Sequence, residues 1–283
     1  MKNTLKLSNY LFEWFFHKYE RYILGFSLGV GVILLFVVSS LNGGDLYEHF
    51  GIEFRTYDLV VDYCGVGVVF FLGLIILCAS IFIQTNSFYT NGKGMYSIFT
   101  LPMKRGEVFF SFFLSATAAV LLYFAVWLIV MVLFYFPITG MYEKAAAKAV
   151  LYISEEVTLK NLDVSITNGL FLAFHRSIFL SAAFPVSWIQ ALALGGGMFL
   201  SITAIVFAGL YNEYIFVRVG LFLVALGGFC TAFYRVWIFF ESLFFYTIKT
   251  VMPESLFFSV IAMLLAVLLL LAARNKLKQR KDI

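Results

Sequence analysis

Charged residues are scarce in this chain, and that scarcity sets the first limit on what the protein can be. Of the 283 residues, 13% are Asp, Glu, Lys or Arg, and 62% are hydrophobic. A soluble domain usually carries about 25% charged residues. The composition therefore excludes an ordinary soluble domain and predicts an integral membrane protein.

Cysteine and histidine are also few, with three of each. Cys64, Cys78 and Cys230 all lie in apolar runs and show neither paired nor metal-type spacing, and the histidines are far apart. We therefore expect the cysteines to pack as small apolar residues, and we predict no metal site.

Motifs for catalysis and nucleotide binding are missing as well. The chain has no Gly-x-x-x-x-Gly-Lys-Ser/Thr loop, and its nearest stretch, 91–94, lacks the spacing. It also has no His-Glu-x-x-His pair, and its Gly-x-Ser-x-Gly match at 25–29 lies inside a long apolar run and not at the strand-to-helix turn that a nucleophile elbow needs. We predict that the chain is not an enzyme, holds no cofactor of its own and does not bind nucleic acid.

Long apolar runs dominate what is present. A bilayer-spanning helix needs about 20 mostly apolar residues. The first run is too long for the core of a signal peptide, so we expect it to be a retained span. The sequence predicts an all-α integral membrane protein with six spans, at about 22–41, 59–84, 108–136, 184–210, 214–234 and 255–273.

The cations are distributed unevenly between the two sides of these spans. If the N-terminus is cytoplasmic, thirteen of the twenty Lys and Arg residues fall on the cytoplasmic side. Positive residues concentrate in cytoplasmic loops. The distribution predicts a multi-pass protein with both termini inside. We expect its location to be the cell inner (cytoplasmic) membrane, in a bacterium.

The segments outside the spans are amphipathic. Residues 5–20 predict an interfacial helix with Leu7, Leu11, Trp14, Phe15 and Tyr19 on its apolar face and Lys6, Glu13, Lys18 and Glu20 largely away from it. The alternative is a cytoplasmic extension of the first span. Residues 137–183 and 235–254 predict extracytoplasmic segments, and the second of these can also be re-entrant.

The first extracytoplasmic segment has two parts. Residues 143–156 are rich in strong helix formers and predict a helix. Residues 168–183 are apolar but carry His175 and Arg176, so a seventh span would bury an arginine at a cost of ~2.5 kcal/mol or more. We favour a surface amphipathic helix there, and a seventh span is the alternative.

A few polar and small residues mark the spans. Asp62 and Arg218 are possible cargo-path residues, and the alternative for Asp62 is pairing with a loop cation such as Arg55. Gly25 and Gly29 have Gly-x-x-x-Gly spacing, and residues 195–197 are all glycine. Such residues usually mark close helix packing within a chain, and less often a subunit interface or hinge.

The connection between the second and third spans, 85–107, has a polar centre. Pro102 suits the first turn of a helix, and Glu107 would lie near that helix's positive end. We therefore predict that the third helix starts around Pro102. Apolar side chains at 95, 98 and 99 would then be available to a cytoplasmic partner, unless this part rests on the membrane surface.

This connection resembles the cytoplasmic loop of permease subunits in the type-2 ABC exporter superfamily. Those proteins often carry a Leu-Pro-x-(Ser/Arg)-Arg-x-Glu element before their third span, after a glycine-containing stretch. The counterparts here are Gly92, Gly94, Leu101, Pro102, Arg105 and Glu107. The connection also resembles the loop of a branch of uncharacterised permeases that reads Leu-Pro-Ala-Ser-x-x-Glu-Lys-Phe, from which Lys104, Gly106 and Val108 depart.

The resemblance implies that residues 1–283 form a single permease domain of an ATP-driven exporter. It implies partners in the form of cytoplasmic ABC ATPases that hold MgATP, and a second permease chain, identical or different. It implies a lipid-like, peptide or drug-like cargo. The implied ATPase-coupling residues are Met95, Ile98, Phe99, Leu101, Pro102, Lys104, Arg105 and Glu107.

Two other functions remain open from the sequence. One is a stand-alone channel or an ion-coupled carrier, although carriers need buried ionisable sites, which are rare in these spans. The other is a non-transporting membrane partner of an ATPase.

Overall fold

The computed structural model describes residues 2–45, 57–90, 104–150, 169–210, 215–233 and 252–279, and among these no β-strand occurs. The helices are α1 (Lys2–Phe15), α2 (Arg21–Asp45), α3 (Tyr57–Tyr63), α4 (Val66–Thr90), α5 (Arg105–Val150), α6 (Gly169–Arg176), α7 (Ile178–Ala183), α8 (Trp188–Leu210), α9 (Ile215–Ala232) and α10 (Met252–Gln279). A π-helical turn, Phe16–Glu20, connects α1 to α2.

Five helices contain stretches that are long and apolar enough to cross a membrane. They are Arg21–Ser40, Val66–Phe88, Gly106–Met141, Trp188–Leu210 and Ile215–Ala232. Many of their large apolar side chains point outward, such as Phe26 at 74% and Phe216 at 87% exposure. Within the described residues the prediction of an all-helical fold is confirmed, and these five helices fit the predicted multi-pass membrane protein. The sixth predicted span lies in α10, where the apolar part that the structure describes is shorter, Ser259–Ala273.

The predicted start of the second span at 59 is wrong. The chain turns between α3 and α4, and Gly65 has φ +76°, a left-handed conformation that glycine adopts without strain. The membrane helix begins only at Val66 and continues to Phe88. A glycine inside an apolar run does not reveal from sequence alone that the helix breaks there.

The third membrane helix also differs from the prediction at both ends. It begins at Arg105, three residues after the predicted start at Pro102. Residues 91–103, which include Pro102, lie outside the described part of the chain. At its other end it continues through Pro137 to Val150. The described part of the predicted 143–156 helix is therefore confirmed, as a continuation of α5.

The segment predicted as one amphipathic helix at 168–183 is divided in two. Helices α6 and α7 have eight and six residues and are separated at Ser177. Because a span needs about 20 residues, neither helix can cross a bilayer. The described part of this segment therefore has no single helix of the length that the alternative seventh span requires. Of the other predicted outer segment, 235–254, the structure describes only residues 252–254, which belong to α10.

The chain divides into two compact units, each with its own core. Unit 1 comprises Met1–Leu24, Gly73–Tyr123 and Ser187–Ile283, and unit 2 comprises Gly25–Leu72 and Phe124–Val186. In unit 2, the buried ring of Phe70 contacts the rings of Phe124, Trp127 and Phe179. The Tyr57 hydroxyl donates to the Met131 carbonyl over 2.7 Å.

In unit 1, α8 packs closely on α9. A side chain at Gly197 would collide with the backbone of Gly228, and the Ser201 hydroxyl lies 2.9 Å from the Ala225 carbonyl. Gly196 approaches the Ser259 carbonyl of α10. Gly196 and Gly197 thus serve packing within the chain, whereas Gly195 is exposed and has no described atom within 4 Å of an added side chain.

The glycines of α2 behave differently. Gly25 and Gly29 are exposed, and a side chain added at either would meet no described atom within 4 Å. The packing role that Gly-x-x-x-Gly spacing usually has is therefore not observed for this pair within the described part of the chain.

Candidate functional site

Helix α1 has one buried face and one exposed face. Its buried residues recur every three or four positions, as helical periodicity requires: Thr4, Leu7, Ser8, Leu11 and Phe15. Lys6, Asn9 and Glu13 on the other side are exposed. Of the predicted apolar face, Leu7, Leu11 and Phe15 are buried within the protein, whereas Tyr19 is 46% exposed.

Four aromatic residues join α1 to the two membrane helices that flank the 91–103 segment. The Trp14 ring lies 4.5 Å from that of Phe88 near the end of α4, and the Phe15 ring lies 6.1 Å from that of Phe112 near the start of α5. Phe88 and Phe112 contact each other at 5.5 Å. We call Trp14, Phe15, Phe88 and Phe112 the aromatic corner.

The edge-on contact between Phe88 and Phe112 is one of the orientations that aromatic quadrupoles favour. Phe15 and Phe112 are completely buried. Each such ring pair contributes about 0.5–1.5 kcal/mol beyond its buried area. The corner is therefore a packed junction of three chain segments.

A polar contact joins α1 to the same part of α5. The Ser111 hydroxyl lies 3.1 Å from the Thr4 carbonyl and 2.9 Å from the Glu107 carbonyl, so it can donate to either. Thr4 and Phe15 are eleven residues apart, about 16 Å along a helix, yet they contact adjacent residues of α5. Helix α1 therefore crosses the start of α5 at a steep angle.

Most of the predicted ATPase-coupling residues lie outside the described part of the chain. These are Met95, Ile98, Phe99, Leu101 and Pro102. Lys104 is exposed, and its carbonyl accepts from the Glu107 amide over 2.8 Å. Arg105 is the first residue of α5, and Glu107 is half-buried in its first turn, near the helix end where a carboxylate is favoured.

The two candidate cargo-path residues lie in different units. Asp62, in α3 of unit 2, accepts from the Ser177 hydroxyl at 2.7 Å and from the amides of Ile178 and Phe179 at 3.0 and 3.2 Å. These amides form the amino end of α7, where backbone N–H groups lack helical partners. Asp62 therefore anchors α7 to α3, a role that neither prediction for it included.

Arg218 lies near the start of α9 in unit 1. It donates to the Asn86 side chain over 2.9 Å, and its guanidinium lies 5.9 Å from the centre of the Phe82 ring. Both partners belong to the last part of α4. Arg218 thus connects α9 to the helix that ends at the aromatic corner.

Sequence reasoning missed Glu20, which it assigned to the polar side of the first helix. The side chain is only 2% exposed, and neither carboxyl oxygen has a hydrogen-bond partner among the described residues. Burial raises the pKa of the Glu20 carboxyl to about 8. The only available signal was its position next to an apolar run, which many surface residues share.

The π-helical turn explains why Glu20 is buried. In a π-helix the backbone bond runs from i to i+5, one residue more than in an α-helix. Residue i+5 therefore comes over residue i, which brings Glu20 to the side of Phe15. A regular α-helix would have turned the carboxyl away, as the sequence predicted.

Comparison of the chain with family models, with curated proteins and with solved structures gave no match.

Proposed function

We propose that the chain is the membrane-spanning subunit of an ATP-driven ABC exporter. In this proposal a separate cytoplasmic ATPase binds the segment 93–107, and a second permease chain completes the path for a lipid-like, peptide or drug-like cargo. MgATP is bound and hydrolysed by the ATPase, and this chain supplies the surface that receives the resulting movement.

The aromatic corner is the observation that carries this proposal. A docking segment transmits force only if both of its ends are fixed to elements that move as solid bodies. Phe88 precedes the 91–103 segment and Phe112 follows it, and their rings are in contact. Displacement of the docking segment therefore acts on α4 and α5 together.

Helix α1 adds a brace to the same junction. It crosses the start of α5, with contacts at Thr4 and Phe15 to the adjacent residues 111 and 112. If α5 spans the bilayer, a helix that crosses it steeply lies along the membrane surface. This supports an interfacial position for α1 over the alternative in which it extends the first span.

Polar contacts extend the junction to α9. Arg218 binds Asn86, which lies two residues before Phe88. A movement of the end of α4 would therefore also reach α9. The proposed cargo face includes the second and fifth spans, which are the two helices that this contact connects.

Copurification tests the proposal. The tagged chain is extracted from its native membranes in mild detergent, and a bound Walker-A ATPase is identified by mass spectrometry. The test variant combines Arg105→Glu, Ile98→Ala and Phe99→Ala. We expect it to lose the ATPase, because charge complementarity and apolar anchors are removed together.

A matched control makes the same kinds of change on the predicted outer side. It combines Arg176→Glu, Val186→Ala and Trp188→Ala, all at exposed positions, and should keep the ATPase. Retention of the ATPase by the test variant would refute coupling through 93–107. Export by the purified chain in vesicles without any ATPase would favour a channel or carrier instead, and ATPase binding without export would favour a non-transporting partner.

A further inference from the structure

A buried carboxyl group lies where α1 joins α2. Glu20 is 2% exposed, and no described residue bonds to either of its oxygens. Burying an unpaired carboxylate is costly, so such a group normally takes up a proton instead. An ionisable residue withdrawn from water at a membrane helix is a candidate functional group by default.

The parts of α4 and α5 that contact α1 carry few charged side chains. Residues 81–88 at the end of α4 contain no titratable side chain. Lys104, directly before α5, is exposed, the side chain of Arg105 lies outside the described residues, and Glu107 in the first turn of α5 is half-buried. On its own helix, Arg21 is exposed and donates to the Tyr22 hydroxyl, Glu13 is exposed, and the side chains of His17 and Lys18 lie outside the described residues.

The backbone at Glu20 differs from the helices on either side of it. Single π-helical turns inside α-helices occur frequently at functional sites. By π-helical periodicity, Glu20 falls on the same side of the helix as Phe15, which is a member of the aromatic corner. Both side chains are buried. Realignment of the turn to a regular α-helix would turn Glu20 away from the side on which Phe15 lies, so the burial of the carboxyl depends on how α1 is oriented relative to α2.

We propose that Glu20 is a proton-operated latch: the neutral carboxylic acid holds α1 packed on the aromatic corner, and ionisation releases it. The latch depends on the packing of α1 and does not require the proposed export function. It predicts a proton-dependent change in the protein alone, without ATPase or cargo.

The direction of the pH dependence follows from the raised pKa. The packed state holds a proton between the ordinary value of 4.5 and about 8, whereas the opened state has lost it in that range. Packing is therefore favoured at low pH and weakens as the pH rises through about 8. The ratio of opened to packed molecules should rise by up to about tenfold per pH unit in this window.

Distance measurement between spin labels tests the latch. Labels at Asn9→Cys on α1 and Ile83→Cys on α4 use exposed positions of unit 1, in a Cys230→Ser background. The other two cysteines are buried. In the full chain in lipid nanodiscs, we expect one distance at about pH 5 and a growing second, different distance toward about pH 9.

Three variants test whether Glu20 causes the pH-dependent change in distance. Glu20→Gln, which cannot ionise, should keep the low-pH distance throughout. Glu13→Gln, at an exposed acid on α1, and His17→Gln, which removes the imidazole three residues earlier in the sequence, should both behave as the unmodified chain. A pH-independent distance in the unmodified chain, or a persistent pH response in Glu20→Gln, would overturn the latch.

An infrared measurement keeps the inference testable if Glu20→Gln does not fold. A protonated carboxylic acid has a carbonyl band distinct from that of a carboxylate. The unmodified chain should show this band at neutral pH and lose it around pH 8. Absence of the band at neutral pH would overturn the proposal.

Discussion

Asp62 and Glu20 both lie shortly before a membrane helix, α4 and α2 respectively, yet their environments are opposite. Asp62 accepts hydrogen bonds from a hydroxyl and two amides at the end of α7. Glu20 accepts none from the described residues. A carboxylate with three donors stabilises a fixed contact, whereas a buried carboxyl without donors responds to protonation. Unit 2 thus has a permanent anchor where unit 1 has a group that can change state.

The largest effect should come from the aromatic corner. Phe112→Ala removes a completely buried ring that contacts Phe15 and Phe88. We expect a loss of about 3–4 kcal/mol in the free energy of unfolding, from lost contacts and the remaining cavity. Denaturation in mixed micelles measures it. Phe110→Ala, at a 41% exposed position, should cost far less, and equal losses would show that the corner is not a packed junction.

Removing the anchor of unit 2 should have the next largest effect. Asp62→Ala leaves the Ser177 hydroxyl and two amides of α7 without their acceptor. The expected loss is about 2–3 kcal/mol, since hydrogen bonds to charged groups are strong and unpaired donors are costly. Asp62→Asn keeps one acceptor and should lose less. If Asp62→Ala were as stable as the unmodified chain, Asp62 would not be an anchor, and the contrast between a fixed carboxylate in unit 2 and a switchable carboxyl in unit 1 would fail.

The smallest effect should come from the polar contact between α1 and α5. Ser111→Ala removes a donor from the Thr4 carbonyl and should cost about 1 kcal/mol. Ser87→Ala removes a local contact to the Gln84 carbonyl and provides the comparison. Amide hydrogen exchange of α1 should accelerate only in Ser111→Ala. Equal exchange in both variants would mean that this contact does not hold α1.

The sequence was informative where the membrane imposes a simple rule. Apolar runs of about 20 residues identified the membrane helices, because each backbone polar group there must bond within its own helix. The break at Gly65 escaped this rule because glycine is also tolerated inside spans. The split at Ser177 had a local sign, a serine directly before an apolar run, which is a common helix start.

Contacts between residues far apart in the chain could not be predicted from the sequence. The anchor between Asp62 and Ser177 joins residues 115 positions apart, and no local pattern specifies it. Glu20 was misplaced for a different reason. The prediction assumed a regular helical period through residues 5–20, and the π-helical turn at Phe16–Glu20 shifts that period by one residue.

Photocrosslinking inside cells tests the central claim most directly. A photoreactive phenylalanine analogue replaces Phe99 in the docking segment, and in a second version replaces Tyr63, which is 75% exposed in unit 2. The account predicts that the analogue at 99 crosslinks a Walker-A ATPase and that the analogue at 63 does not. Crosslinking of position 99 only to proteins or reagents outside the cytoplasm would contradict it.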